Sequence, residues 1–113
     1  MDIRSRQLDG NTIVELSGRL TVNDQPGQLK QLVADAVEKG ARNVLVDLSG
    51  VRYIDSTRLG ELIAAHITVS RQGGRLRLVG TPDRIQELLE IAGLDSVFER
   101  YPTLEEAVRA KSV

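Results

Sequence analysis

The spacing of apolar positions changes several times along the chain, and each change marks an element. Residues 3–8 and 12–17 read as two strands. Asp9-Gly10-Asn11 between them suits a tight hairpin turn. Alternation in Ile13-Val14-Glu15-Leu16 is partial, and Ser17-Gly18-Arg19-Leu20 leaves the strand as a turn or bulge. Leu29, Leu32, Val33, Ala36 and Val37 then fall on one helical face. Asn23 or Asp24 is placed to cap that helix, Pro26 is tolerated in its first turn, and Gly40 stops it.

The run Val44-Leu45-Val46 with Leu48 reads as a strand buried on both faces, as in a parallel sheet, ending in a turn. A helix opens at Asp55-Ser56-Thr57, with Leu59, Leu62, Ile63 and Ile67 expected on its inner side. Gly73-Gly74 closes it, and Leu76, Leu78 and Val79 form the next strand. Thr81 is expected to cap a third helix with Pro82 in its first position and Ile85, Leu88, Leu89 and Ala92 as its buried stripe. Val97-Phe98 reads as a short last strand. Thr103-Leu104-Glu105-Glu106 is a capping-box pattern that turns Leu104, Ala107 and Val108 inward. The alternation predicts an α/β fold over 1–113: a mostly parallel central sheet, an antiparallel N-terminal edge strand, and helices packed against it. Residues 111–113 are expected to fray.

Composition sharpens this picture. A chain of 113 residues fits one domain, and 41% hydrophobic residues suffice for a core. Only Tyr53, Phe98 and Tyr101 are aromatic, so that core is aliphatic. With 15 basic and 16 acidic residues the formal charge is −1, which gives no electrostatic reason to expect direct nucleic-acid binding. Arg71, Arg75 and Arg77 read as solvated surface. There is no Cys, which excludes disulfides and thiolate metal sites. No apolar run is long enough to insert in a membrane and the first residues lack a secretory signal, so the expectation is a soluble cytoplasmic protein.

Catalytic chemistry finds little support. The single histidine, His66, lies about 15 Å along the helix from Ser56, too far to serve it as a base, and reads as a flank or core residue. Asp47 and Asp55 are the only carboxylates near the strand ends here; magnesium would want more oxygen ligands, and Asp47 can instead bond local backbone N–H groups. No phosphate loop or dinucleotide fingerprint is present. The expectation is a non-enzymatic protein with no metal or cofactor of its own. Asp55-Ser56-Thr57 remains. At a helix entrance, near free N–H groups and the positive end of the peptide dipoles, such a cluster can accept a phosphate, bind an anion, or simply cap the helix.

Asp47-Leu48-Ser49-Gly50-Val51 followed by Tyr53-Ile54-Asp55-Ser56-Thr57-Arg58-Leu59-Gly60 resembles the signature of the STAS family, the bacterial anti-sigma-factor antagonists and their relatives. Val14-Glu15-Leu16-Ser17-Gly18-Arg19-Leu20 resembles the family's second strand and following turn, and the similarity covers nearly the whole chain. The resemblance implies that Ser56 is the phosphoacceptor, with Thr57 as a second hydroxyl. It implies that Asp55 orients that hydroxyl and contacts the partner, and that Asp24, before the first helix, helps hold it. In such proteins the unmodified form binds an anti-sigma factor that is itself a serine kinase, which frees a sigma factor for transcription; a phosphoserine phosphatase resets the cycle. ATP and magnesium belong to the kinase. The resemblance equally admits a scaffold subunit of a signalling assembly or of a transporter complex. Arg58 departs from the family, which usually carries Gly or Ala there. It is expected at the contact, where it pairs with phosphorylated Ser56 or selects an acidic patch on the partner.

Overall fold

The computed structural model describes residues 2–20 and 27–110. Five strands form one sheet: β1 (Asp2–Leu8), β2 (Asn11–Leu20), β3 (Asn43–Ile54), β4 (Arg75–Val79) and β5 (Glu99–Tyr101). Four helices complete the fold: α1 (Gln28–Glu38), α2 (Ser56–Arg71), α3 (Asp83–Ile91) and α4 (Leu104–Arg109). The sheet follows chain order, β1-β2-β3-β4-β5. The first pair is antiparallel and the other three are parallel.

Strands laid down in chain order make every parallel crossover advance in one direction. Crossovers of one hand then carry their helices to one face. The packing shows this: α1 (Leu29, Val33, Val37), α2 (Leu62, Ala65, Val69) and α3 (Ile85, Leu89) close over Val14, Leu16, Val44, Val46, Leu48, Leu76 and Leu78. The intervening strand residues Ile13, Leu45 and Val79 face the other way and meet α4 through Ala107, Leu104 and Val108. The antiparallel N-terminal edge and the mostly parallel sheet are as expected.

Several boundaries differ from the sequence pattern. β3 does not turn at Ser49-Gly50 but runs on to Ile54, twelve residues in all. β2 likewise continues to Leu20, with register shifts between Glu15 and Ser17 and between Gly18 and Arg19. These irregularities let β2 follow the longer strand. The pairing is tight there: a Cβ on Gly50 would stand 3.0 Å from the Ser17 Cβ. The last strand is Glu99–Tyr101 rather than Val97-Phe98; Phe98 is buried in the core just before it, while Val97 is exposed. Pro82, not Thr81, is the N-cap of α3, and it makes no side-chain cap bond. Leu88 and Ala92 fall at the exposed margin of that helix instead of in its buried stripe. α1 starts after Gly27; Asn23, Asp24 and Pro26 lie outside the described residues. Thr103 caps α4 as expected, its Oγ1 accepting the Glu106 N–H at 3.2 Å.

The three arginines expected on the surface take three different positions. Arg71 is exposed. Arg75 is half-buried and pairs through both arms with Glu99, its Nε donating at 3.0 Å to Oε1; the carboxylate raises the guanidinium further above its ordinary value. Arg77 is fully buried. Strand alternation places it opposite Leu76 and Leu78, where α4 covers it. There Nη1 donates to the carbonyls of Ala107 (3.3 Å) and Ala110 (3.0 Å) and Nη2 to Asn11 Oδ1 (3.4 Å), while the guanidinium carbon lies 5.6 Å from the Tyr101 ring centre. The cation thus sits at the negative end of α4, where free carbonyls need a donor.

Candidate functional site: the β3–α2 junction

β3 delivers its last residue, Ile54, to the carboxyl edge of the sheet, and α2 begins at Ser56. Only Asp55 separates them, and its backbone is extended (φ −94°, ψ 175°). Its Oδ1 accepts the backbone N–H of Arg58 at 2.9 Å, the reach of an N-cap carboxylate to the third helical residue. Of the three residues able to cap this helix, the acid does so.

That choice leaves the hydroxyls over. Ser56 and Thr57, the first and second helical residues, are both exposed, and neither side chain makes a hydrogen bond among the described residues. They stand over the free N–H groups of the first turn, where added negative charge is favoured by the helix dipole. Beside them, the guanidinium of Arg19 at the end of β2 lies 4.7 Å over the Tyr53 ring on β3. This pair was not evident from the sequence, because the two residues meet only through the β2–β3 register, Arg19 opposite Tyr53.

Arg58 is not at the surface. Its side chain is 0% exposed, and Nη1 bonds Glu61 Oε2 at 2.9 Å. The expectation that it contacts a partner or meets phosphorylated Ser56 is therefore corrected: it points into the protein, neutralised by a carboxylate one turn on. The signal was present in the three-residue spacing of Arg58 and Glu61, which brings such side chains together on a helix. The inner side of α2 accordingly consists of Arg58, Leu62, Ala65 and Val69. Leu59 and Ile63 flank it, and Ile67, expected inside, is 44% exposed.

The remaining candidates lie elsewhere. Asp24 falls outside the described residues. Asp47 Oδ1 accepts both the backbone N–H (2.9 Å) and the hydroxyl (2.7 Å) of Ser49, a local structural role as expected. His66 packs edge-on against Phe98, ring centres 5.3 Å apart. Among the described residues no group of three or more His, Asp or Glu could hold a metal ion, and no helix is long and apolar enough to cross a membrane. A surface depression of about 560 Å³ lined by Thr12, Asp35, Lys39, Arg42 and Asn43 lies at the amino ends of β2 and β3, the opposite end of the sheet from Ser56. At the β3–α2 junction the Ser56 and Thr57 side chains are exposed at the carboxyl edge of the sheet.

The sequence comparison decides the family: residues 2–107 match the STAS domain. The chain belongs to the STAS domain family. An anti-sigma-B factor antagonist of Staphylococcus aureus (strain NCTC 8325 / PS 47) is 33% identical to it over 81 residues, covering 72% of this chain and 74% of the relative. An anti-sigma-B factor antagonist of Bacillus subtilis (strain 168) is 28% identical over 99 residues, covering 88% and 89%. Among solved structures, an anti-sigma factor antagonist from Mycobacterium paratuberculosis superposes with a TM-score of 0.83 at 27% identity, covering 96% of this chain and 92% of that one. This STAS domain therefore shares both sequence and architecture with regulators of sigma factors, and these relatives are named as antagonists rather than as enzymes.

Proposed function

We propose that this STAS domain is a phosphorylation-switched antagonist of an anti-sigma factor. In its unmodified form it binds an anti-sigma serine kinase through the surface around Asp55, Ser56 and Thr57, and the sigma factor is released. Transfer of the ATP γ-phosphoryl group to the Ser56 oxygen, with ADP as leaving product, ends the complex; a phosphoserine phosphatase hydrolyses the ester and restores binding. The observation that carries this reading is the division of labour at the junction: Asp55 occupies the cap, so the Ser56 hydroxyl is exposed and uncommitted.

The physics of the switch follows from position. A phosphoserine adds about 1.5 to 2 negative charges and three acceptor oxygens. At the first residue of α2 the dipole and the free N–H groups accommodate them, so the fold survives. A partner packed against an uncharged hydroxyl meets a bulky, hydrated dianion instead, and desolvating it disfavours the complex. Asp24 is proposed as a further contact by resemblance alone.

The test is incubation with purified anti-sigma serine kinases and ATP, followed by mass mapping of the modified residue. The expected product carries one phosphate on Ser56, with Thr57 as the alternative acceptor in Ser56→Ala. Modification confined to other residues, or none with any kinase that binds the protein, overturns the reading.

A further inference from the structure

Helix α3 turns apolar residues to solvent. Ile85 and Leu89 are its buried positions, and Arg84, Leu88 and Ile91 run beside them with the four- and three-residue spacing of one helix side. Leu88 is exposed, and Ile91, at 83%, is the most exposed large apolar residue among those described. Helix α1 shows the ordinary pattern instead: its exposed residues are Lys30, Gln31, Asp35 and Glu38.

A groove adjoins this ridge. Between α3 and the end of β3 lies a depression of about 200 Å³ lined by Tyr53, Ile54, Ile85, Leu88 and Ile91 together with Arg84 and Glu87. Arg84 and Glu87 are exposed, and neither takes part in an ion pair or hydrogen bond among the described residues.

We propose that this surface seats a second copy of the chain, α3 against α3 about a two-fold axis, and that the pairing masks Ser56. One surface here carries an apolar ridge and an apolar groove, one cation and one anion. Such a surface is complementary to itself after a two-fold rotation: Ile91 of each copy enters the groove of the other, and Arg84 of each faces Glu87 of the other. A partner of a single charge sign would satisfy only one of the two. The groove wall Tyr53-Ile54 leads through Asp55 straight into Ser56, so a copy seated there stands in front of that hydroxyl. This masking rests on the reading of Ser56 above; the association does not. One nine-residue helix and one groove are smaller than the roughly 800 Å² per partner of a standard stable interface, so the dimer is weak and reversible, with Kd on the order of 100 µM.

The experiment uses the full chain. Sedimentation equilibrium between about 10 µM and 1 mM is expected to show a monomer–dimer equilibrium in that Kd range. Ile91→Glu, at an exposed position, is expected to stay folded and to raise Kd about 10-fold or more. Arg84→Glu and Glu87→Arg are each expected to weaken the dimer, and the double variant to restore it, because swapping both charges recreates the pairs only where the surface meets itself. A wild type that remains monomeric throughout, or a dimer indifferent to all of these changes, overturns the association. If the wild type is monomeric and Ile91→Glu instead loses affinity for the anti-sigma kinase, the surface belongs to that partner and the proposal falls. With a kinase that modifies Ser56, the phosphate incorporated per chain is expected to drop above the dimer Kd for the wild type and not for Ile91→Glu. An undiminished yield from a proven dimer overturns the masking, and a phosphate absent from Ser56 at every concentration removes the reading of Ser56 while the dimer is judged by sedimentation alone.

Discussion

Asp55 Oδ1 and the backbone N–H of Arg58 meet at 2.9 Å, and this bond frees the two hydroxyls between them, those of Ser56 and Thr57, from capping the helix. Replacing Asp55 by Ala leaves that N–H without its acceptor and should cost about 1 kcal/mol, lowering Tm by roughly 4 °C. Asp55→Asn keeps the capping oxygen and should lose less stability than Asp55→Ala. Thermal unfolding of the two variants separates the cap from the charge, and kinase affinity of Asp55→Asn then reads the contact of the carboxylate itself.

Because the Ser56 side chain makes no hydrogen bond among the described residues, Ser56→Ala should leave stability within about 0.5 kcal/mol of the wild type. It should bind the anti-sigma partner regardless of ATP. Ser56→Asp should be as stable and bind at least about 10-fold more weakly. Calorimetric titration at matched salt checks both; equal affinity of Ser56→Asp and the wild type would remove the charge argument.

The Arg58–Glu61 pair lies almost wholly out of solvent, so truncating one member strands the other's charge. Arg58→Ala should cost about 3 kcal/mol. Urea denaturation measures it. A surface arginine would give the opposite pattern, with binding altered and stability untouched.

Arg77 fastens α4 to the sheet through the carbonyls of Ala107 and Ala110. Arg77→Met keeps most of the buried volume and removes the donors, leaving buried carbonyls without partners at a cost of about 2 kcal/mol. Hydrogen exchange should then rise across Leu104–Arg109 and remain nearly unchanged in α2, since the two helices lie on opposite faces of the sheet. Uniform acceleration across the chain would instead mean that the arginine supports the whole core.

The layering was readable in advance because periodicity carries it: Val44-Leu45-Val46 is buried on both faces, and the stripe of α1 holds through Leu29, Val33 and Val37. Side assignments failed where a charged residue is satisfied by a partner. In α2 the sets Leu59-Leu62-Ile63-Ile67 and Leu62-Ala65-Val69 both obey helical spacing, and the choice fell to Arg58, whose charge Glu61 cancels one turn away. In β4, alternation alone marked Arg77 as facing away from Leu76; what covers it comes from α4, about thirty positions later, and no local pattern announces such a lid. The site fared similarly. The motif located the helix entrance at Asp55-Ser56-Thr57, but which of three side chains takes the cap is a matter of backbone geometry. The extension of β3 to Ile54 was hidden because Ser49-Gly50 reads as a turn until β2 is present to pair with it.

The carboxylate at the head of α2 has one more consequence. Since the helix is secured from one residue upstream, an anion written onto Ser56 would change the outside of the molecule while the inside stays as it was. Erasing the mark then requires only hydrolysis of an ester, with no rebuilding of the chain, so the same copy can be used again as often as enzymes at its surface permit.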